Sequence, residues 1–366
     1  MIRRRHLLAL PLTALGPAQA LTRRPLVFPR DHGSHPDTRT EWWYLTGWLQ
    51  AADDNLPDAL PLAGFQLTFF RSRTGLAEGH PSAFAAQQLL FAHAALTELP
   101  AQRLHHDQRM ARAGLGLAEA STTDTDLVID RGPRAWTLRR TQDAGRSLYQ
   151  ARWQTAEFAF DLTARATQPL LLQGDAGWSR KGPGPTQASH YITEPQLAVQ
   201  GHLQRPSGRQ AVRGHAWLDH EWSDDLLAPG VQGWDWIGIN LFDGSTLTAF
   251  QLRDAQGRAT WAGGSHRTAA AHHTFTPQQV RFDATGERWT SPTTGATYPT
   301  GWRLTTPTGT WRVRPLAPAQ EMDTRRSTGS AYWEGLSDLL DEQGNVIGRG
   351  YLEMTGYTGP LRLSAS

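Results

Sequence analysis

The stretch "GHAWLDHEWSDD", Gly214 to Asp225, gathers ionisable side chains more densely than any other in the chain. Extended as a β-strand it alternates, so His215, Trp217, Asp219 and Glu221 share one face while Ala216, Leu218, His220 and Trp222 share the other. The first face is an acid–base array beside an indole, with its carboxyls about 7 Å apart along the strand. In an apolar wall, Asp219 or Glu221 would keep its proton toward neutral pH, because desolvation disfavours the anion, and could act as a general acid. The same residues could instead form a rim network of ion pairs with arginines. His220 cannot join Asp219 and Glu221 around a metal, since neighbouring strand residues point to opposite faces.

A second stretch, "TRTEWWYLTGWL" from Thr38 to Leu49, must sit beside other elements on both sides. Glu41, Trp43, Leu45, Gly47 and Leu49 fall on one face; Trp42, Tyr44, Thr46 and Trp48 fall on the other. Both rows are apolar or aromatic, which predicts a barrel interior on one side and a further layer of protein on the other. Glu41 then either stands in water at a rim or is drawn inward and paired, because a lone buried carboxylate costs several kcal/mol. His93, in "FAHAALTE", shares a strand face with Phe91 and Ala95 and reads as a core histidine or a pocket residue. His32, His35 and the pairs His105-His106 and His272-His273 show no ligand spacing, so no metal is expected. The segment Leu172 to Leu197 is rich in Gly and Pro and carries the only lysine, Lys181, with Tyr191 downstream. It reads as a solvated connection or as a lid over a barrel mouth. Neither a phosphate-binding glycine loop nor a G-x-S-x-G elbow occurs, and no cofactor is expected.

These side chains need a scaffold, and the patterning supplies one. Runs of alternating apolarity, such as Glu41–Leu49, Leu62–Phe70, Gln88–Thr97, His190–Val199, Val212–His220, Trp234–Leu241 and Val346–Met354, recur between Gly- and Pro-rich turns, and long helical patterns are scarce. This predicts an all-β chain, a sandwich or a pair of barrels. "WYLTGWL" followed by "GFQLTFF" is echoed by "WDWIGINL" followed by "TAFQLRD", which suggests two similar units. The expected division is residues 1–20, 21–210 and 211–366. Residues 1–20 have the layout of an export signal, with Arg3, Arg4 and Arg5, a short apolar run and Ala18-Gln19-Ala20; a twin-arginine reading also fits. A periplasmic or secreted location follows. Without those arginines the chain carries a net charge of about −1, which gives no support to nucleic-acid binding. The absence of cysteine excludes disulfides and thiolate chemistry. Fifteen tryptophans suit the walls of an apolar cavity.

"FPRDHGSHPDTRTEWWYLTGWL", "FAHAALTE", "GDAGWSRKGPG", "ASHYITEPQL" and "GHAWLDHEWS" together resemble the AttH/CrtC family of secreted lipocalin-like proteins, which includes the carotenoid 1,2-hydratases. The resemblance implies two consecutive lipocalin-like antiparallel β-barrel domains and a hydrophobic isoprenoid- or lipid-like ligand. In the family's hydratases a His-x-Trp pair and a later Tyr-x-Asp pair are implicated in protonating a double bond. His215 and Trp217 match the first pair; "TLTAFQLRD" offers no counterpart of the second. The expected catalytic set is His215, Trp217, Asp219 and Glu221. The expected ligand-binding set is Glu41, Trp43, Tyr44, His93, Lys181, Tyr191, Trp234 and Trp236. The alternatives are a non-catalytic carrier serving an envelope transporter, or a barrel pericyclase or isomerase.

Overall fold

Alternating sequence becomes β-sheet throughout. The structure, a computed structural model, describes residues 21–53, 61–75, 78–82 and 84–361, so the expected signal segment lies outside the described residues. Among them the only helical elements are two short 3-10 turns, Arg30–His32 and Pro277–Gln279.

The first sheet has 13 strands. Its order runs from Arg103–Arg112 through Gln88–Glu98, Ala63–Arg73, Thr40–Ala51, Gly208–Ser223 and Ala188–Arg205 to the strands between residues 118 and 166. It curls into a nearly closed barrel. Arg109, on the edge strand, donates to the carbonyls of Arg134 and Gln154 at 2.7 and 2.9 Å and lays its guanidinium 4.4 Å from the centre of the Trp136 ring. The second sheet has 10 strands, with Thr246–Asp254, Val231–Leu241, Val346–Met354 and Ala331–Leu340 side by side in that order.

Each sheet encloses a filled core. Phe65, Trp136, Tyr149 and Trp153 pack inside the first; Tyr298, Trp302, Trp333 and Met354 pack inside the second. A third apolar layer lies between the sheets, where Tyr44, Trp48 and Trp217 meet Trp236, Phe250 and Leu336. Burying a large apolar side chain stabilises by up to about 3 kcal/mol, so this layer alone opposes separation of the sheets. A bulge between Glu194 and Leu197 adds polar pins. It puts Gln196 at a left-handed φ of 54°, where its backbone N–H donates to Asn240 at 2.8 Å and its amide reaches the carbonyls of Leu241 and Ser245.

Two expectations need correction. A boundary after residue 210 would cut the Gly208–Ser223 strand, which pairs with Thr40–Ala51 and Ala188–Arg205 in the first sheet; the chain crosses to the second sheet between Ser223 and Val231. The sequence echo is also out of phase. Phe65 and Leu67 face the core of the first barrel, whereas Phe250 and Leu252 face the layer between the sheets. A one-residue offset exchanges the two faces of a strand, so the shared letters mark no structural repeat.

Glu41 is drawn inward and paired. Burial opposes its charge, but Arg71, His220 and His35 outweigh burial and hold it well below the usual carboxylate range. Arg71 Nε donates to it at 2.7 Å, His220 Nε2 lies 2.9 Å away and His35 Nδ1 2.7 Å away. His35 Nε2 faces Asp31 at 3.0 Å, so both ring nitrogens meet carboxylates. This network ties the segment around Arg30–His32 to the barrel. Breaking a buried pair leaves an uncompensated charge at a cost of about 3–5 kcal/mol. Arg71→Met should therefore lose stability of that order in urea unfolding; a change below about 1 kcal/mol would contradict the assignment.

Candidate active site

The same strands that wall the first core present their other face to the second sheet. Opposite Trp43 and His220, which point inward, stand Trp42 and Tyr44 on one strand and Asp219 and Glu221 on its neighbour. Across the gap Trp234 and Trp236, Phe250 and Leu252, and Tyr332, Glu334 and Glu353 complete a chamber with about 90 Å³ of free volume. Lys181 and Tyr191 close one side. Gly238 makes the tryptophan packing feasible: a Cβ there would sit 2.4 Å from the Trp236 ring and 2.9 Å from that of Trp217.

Asp219 is 3% exposed. Burial raises its pKa to about 7, against the opposing hydrogen bonds from Thr193 and Tyr191. Tyr191 donates its O–H to Oδ2 at 2.7 Å and Thr193 donates to Oδ1 at 2.6 Å. Trp236 donates its indole N–H to the Tyr191 oxygen at 3.1 Å, which fixes the phenol. On the second sheet Glu334 is held well above the ordinary range by burial and by Glu353, while burial, with Asp219 and Glu221 nearby, raises Glu353 to about 7. Gln66 donates to Glu334 at 2.8 Å, and the Tyr44 phenol lies against the same carboxyl. Glu221 accepts from Ser189 and pairs with Lys181 at 2.9 Å. The chamber thus carries three carboxyls biased toward the neutral acid and one carboxylate–ammonium pair, within aromatic walls.

The structure sorts the expected residues by strand parity. Tyr44, Lys181, Tyr191, Asp219, Glu221, Trp234 and Trp236 line the chamber. Glu41 and Trp43 do not: their strand turns odd-numbered side chains into the first barrel, so the ligand-binding reading fails for both. Trp217 lies in the layer between the sheets beside the chamber, edge-on to Trp236 at 6.2 Å. His215 is exposed and lies against Trp48, outside the chamber, so a catalytic role for it is not supported. His93 sits behind the wall, within hydrogen-bond reach of Tyr332 at 2.9 Å and Ser327 at 2.8 Å, and burial lowers its pKa to about 3. Where no metal was expected, His35, Glu41 and His220 bring ligand atoms within 4.8 Å of one another, but the atoms facing each other are already hydrogen-bonded and Arg71 lies among them.

Sequence reading missed Glu334, Glu353, Tyr332 and Gln66. Their signal was there: "YWE" and "YLE" each put a tyrosine and a glutamate two residues apart on one strand face, at Tyr332/Glu334 and Tyr351/Glu353. The Tyr-x-Asp pair that Thr246–Asp254 lacks is not found here either; these two adjacent strands carry Tyr-x-Glu.

The AttH-like family matches residues 19–357, and a Nitrosomonas europaea protein assigned to AttH is 41% identical, with a TM-score of 0.81 over 94% of this chain and 100% of that one. The chain belongs to the AttH-like family. Kievitone hydratase of Nectria haematococca shares the fold, at TM-score 0.67 and 15% identity over 92% of this AttH-like chain and 94% of the hydratase. So does CghA, solved with Sch210972, at TM-score 0.53 and 12% identity over 89% and 90% of the two chains. No curated protein matches the chain.

The raised carboxyls have a signed consequence for stability. An acid whose folded pKa is raised loses stability as pH climbs from its unfolded value to its folded one, here from about 4.5 to about 7 for Glu353. Glu353→Gln should shrink the drop in unfolding free energy between pH 5 and pH 8 by at least about 1 kcal/mol in urea titrations. Identical slopes in the two proteins would contradict the burial of this carboxyl.

Proposed function

We propose that this AttH-like protein adds water across a carbon–carbon double bond of an apolar small molecule, by general acid catalysis in the chamber between its sheets. One observation carries the reading: Asp219, buried and held by two hydroxyl donors, opens on a tryptophan-walled space with the carboxyls of Glu334 and Glu353 opposite. Protonating an alkene carbon leaves an electron-poor centre and a carboxylate. Tyr191 and Thr193 already donate to the Asp219 oxygens, so they stabilise the anion as the proton leaves. The ring faces of Trp42, Trp234, Trp236 and Phe250 suit the electron-poor carbon. Glu221 can accept the proton of the adding water. Hydration also agrees with the reaction named for kievitone hydratase, a fold neighbour. A chamber this small admits the reacting end of a ligand rather than a whole carotenoid, so the substrate is an isoprenoid-like or lipid-like molecule that enters by one end. The export layout of residues 1–20 supports a periplasmic or secreted setting.

Incubation with acyclic isoprenoids should yield a product heavier by one water. Asp219→Asn should cut turnover by about 10²–10⁴-fold while leaving ligand affinity within a few-fold. Because the acid must be protonated, turnover should fall as pH rises through about 7. Retained turnover in Asp219→Asn, or no adduct with any acyclic isoprenoid, would remove the reading. Ligand affinity without any adduct would favour a carrier.

A further inference from the structure

An oily chamber that took only hydrocarbon would have no use for an ammonium group, yet the chain's only lysine is placed in this one. Lys181 follows the short strand Trp178–Arg180, which pairs with the start of Ala188–Arg205 and returns the chain over the chamber. Its backbone N–H donates to the Gln187 carbonyl at 2.8 Å, which closes the hairpin. The side chain is 5% exposed. Its Nζ lies 2.9 Å from Glu221, 4.2 Å from the centre of the Phe250 ring and 4.8 Å from that of Tyr191. An ammonium has three N–H donors. Glu221 takes one, and the two aromatic faces attract the charge without accepting a strong hydrogen bond. Donor capacity therefore remains beside the chamber, on the side where Tyr191 reaches Asp219. A buried ion pair is a weak contributor to stability compared with apolar packing, so its presence in an aromatic wall calls for another use.

We propose that Lys181 anchors a carbonyl-type oxygen of the substrate, so that the protein acts on apolar molecules whose double bond is conjugated to a carbonyl or carboxylate. The chemistry of this assignment rests on the hydration reading; the binding does not. The Lys181 N–H groups donate to the substrate oxygen and draw electron density toward it. The β-carbon becomes electron-poor and bonds to the oxygen of water, whose proton passes to Glu221. The π pair moves toward the α-carbon and the anchored oxygen. The α-carbon then takes the proton from Asp219, and that proton is returned from Glu221 through solvent. Water is added and nothing is oxidised or reduced.

The test compares ten-carbon probes of one skeleton on the full chain: geranic acid, citral and the hydrocarbon myrcene, with binding read by tryptophan fluorescence. Geranic acid and citral should each bind at least about tenfold more tightly than myrcene. Lys181→Met should abolish that preference and leave myrcene affinity unchanged, and Lys181→Arg should restore most of it. In the unmodified protein, the Lys181 amine and citral should form an imine with loss of water, which cyanoborohydride reduces, so that the peptide containing Lys181 gains the mass of citral less its oxygen, and excess geranic acid should protect that peptide. Equal affinities for the three probes, a preference that survives in Lys181→Met, or labelling confined to the N-terminal amine would each overturn the assignment. Preferential binding without any hydration would sink the hydration reading and leave the anchor standing. Hydration of myrcene with no oxygen preference would do the reverse.

Discussion

Two adjacent antiparallel strands, Thr40–Ala51 and Gly208–Ser223, have protein on both faces where they pair along residues 40–47 and 216–223, and the rest of the site depends on that constraint. A strand inside a one-layer barrel would show one face to water and could keep its charges there. Here the alternation sends Glu41, Trp43, Leu218 and His220 into a filled barrel and Tyr44, Asp219 and Glu221 into the layer between the sheets. In these paired stretches no face is left for an unpaired charge, so each ionisable group there must be matched or neutral.

The two faces resolve that demand in opposite ways. On the barrel side Glu41 is matched: an arginine and two histidines converge on it, and it stays a carboxylate. On the chamber side the donors to Asp219 are neutral, the hydroxyls of Tyr191 and Thr193 among them, and desolvation prevails over them. The carboxyls of Glu334 and Glu353 crowd the same space and raise the cost of any anion there. Glu221 alone has a cation. A single stretch of sequence thus yields a structural ion-pair network behind the wall and an array of neutral acids in front of it, with the difference set by which side chains the neighbouring strands supply.

Much of this was legible in the alternation. The opposite faces of "GHAWLDHEWSDD", the double covering of "EWWYLTGWL" and the all-β class follow from period two, whereas for Glu41 the sequence leaves a rim in water and an inward pair both open. What the alternation does not contain is the partner of each face. That Trp43 looks into a packed core and Tyr44 into a chamber depends on the sheet across the gap, and nothing local distinguishes the two rows. The strand Arg103–Arg112, "RLHHDQRMAR", was invisible because an edge strand with partly exposed faces needs no apolar row. Glu334 and Glu353 were read as strand residues and passed over, since a single acid in an apolar strand looks like a surface position until a second sheet covers it. Domain division failed for a related reason: the Gly208–Ser223 strand closes the first sheet late in the chain, through a long-range pairing with Thr40–Ala51.

The claim that supports everything else is that carboxyls in the inter-sheet chamber hold their protons near neutral pH. Infrared difference spectroscopy of the intact protein across a pH titration measures this directly, with Asp219→Asn to assign the band. A protonated carboxyl stretch that persists at pH 6, disappears around pH 7 and is absent from the variant is the expected result. Complete ionisation of every carboxyl by pH 5, with the variant spectrum unchanged, would contradict the account.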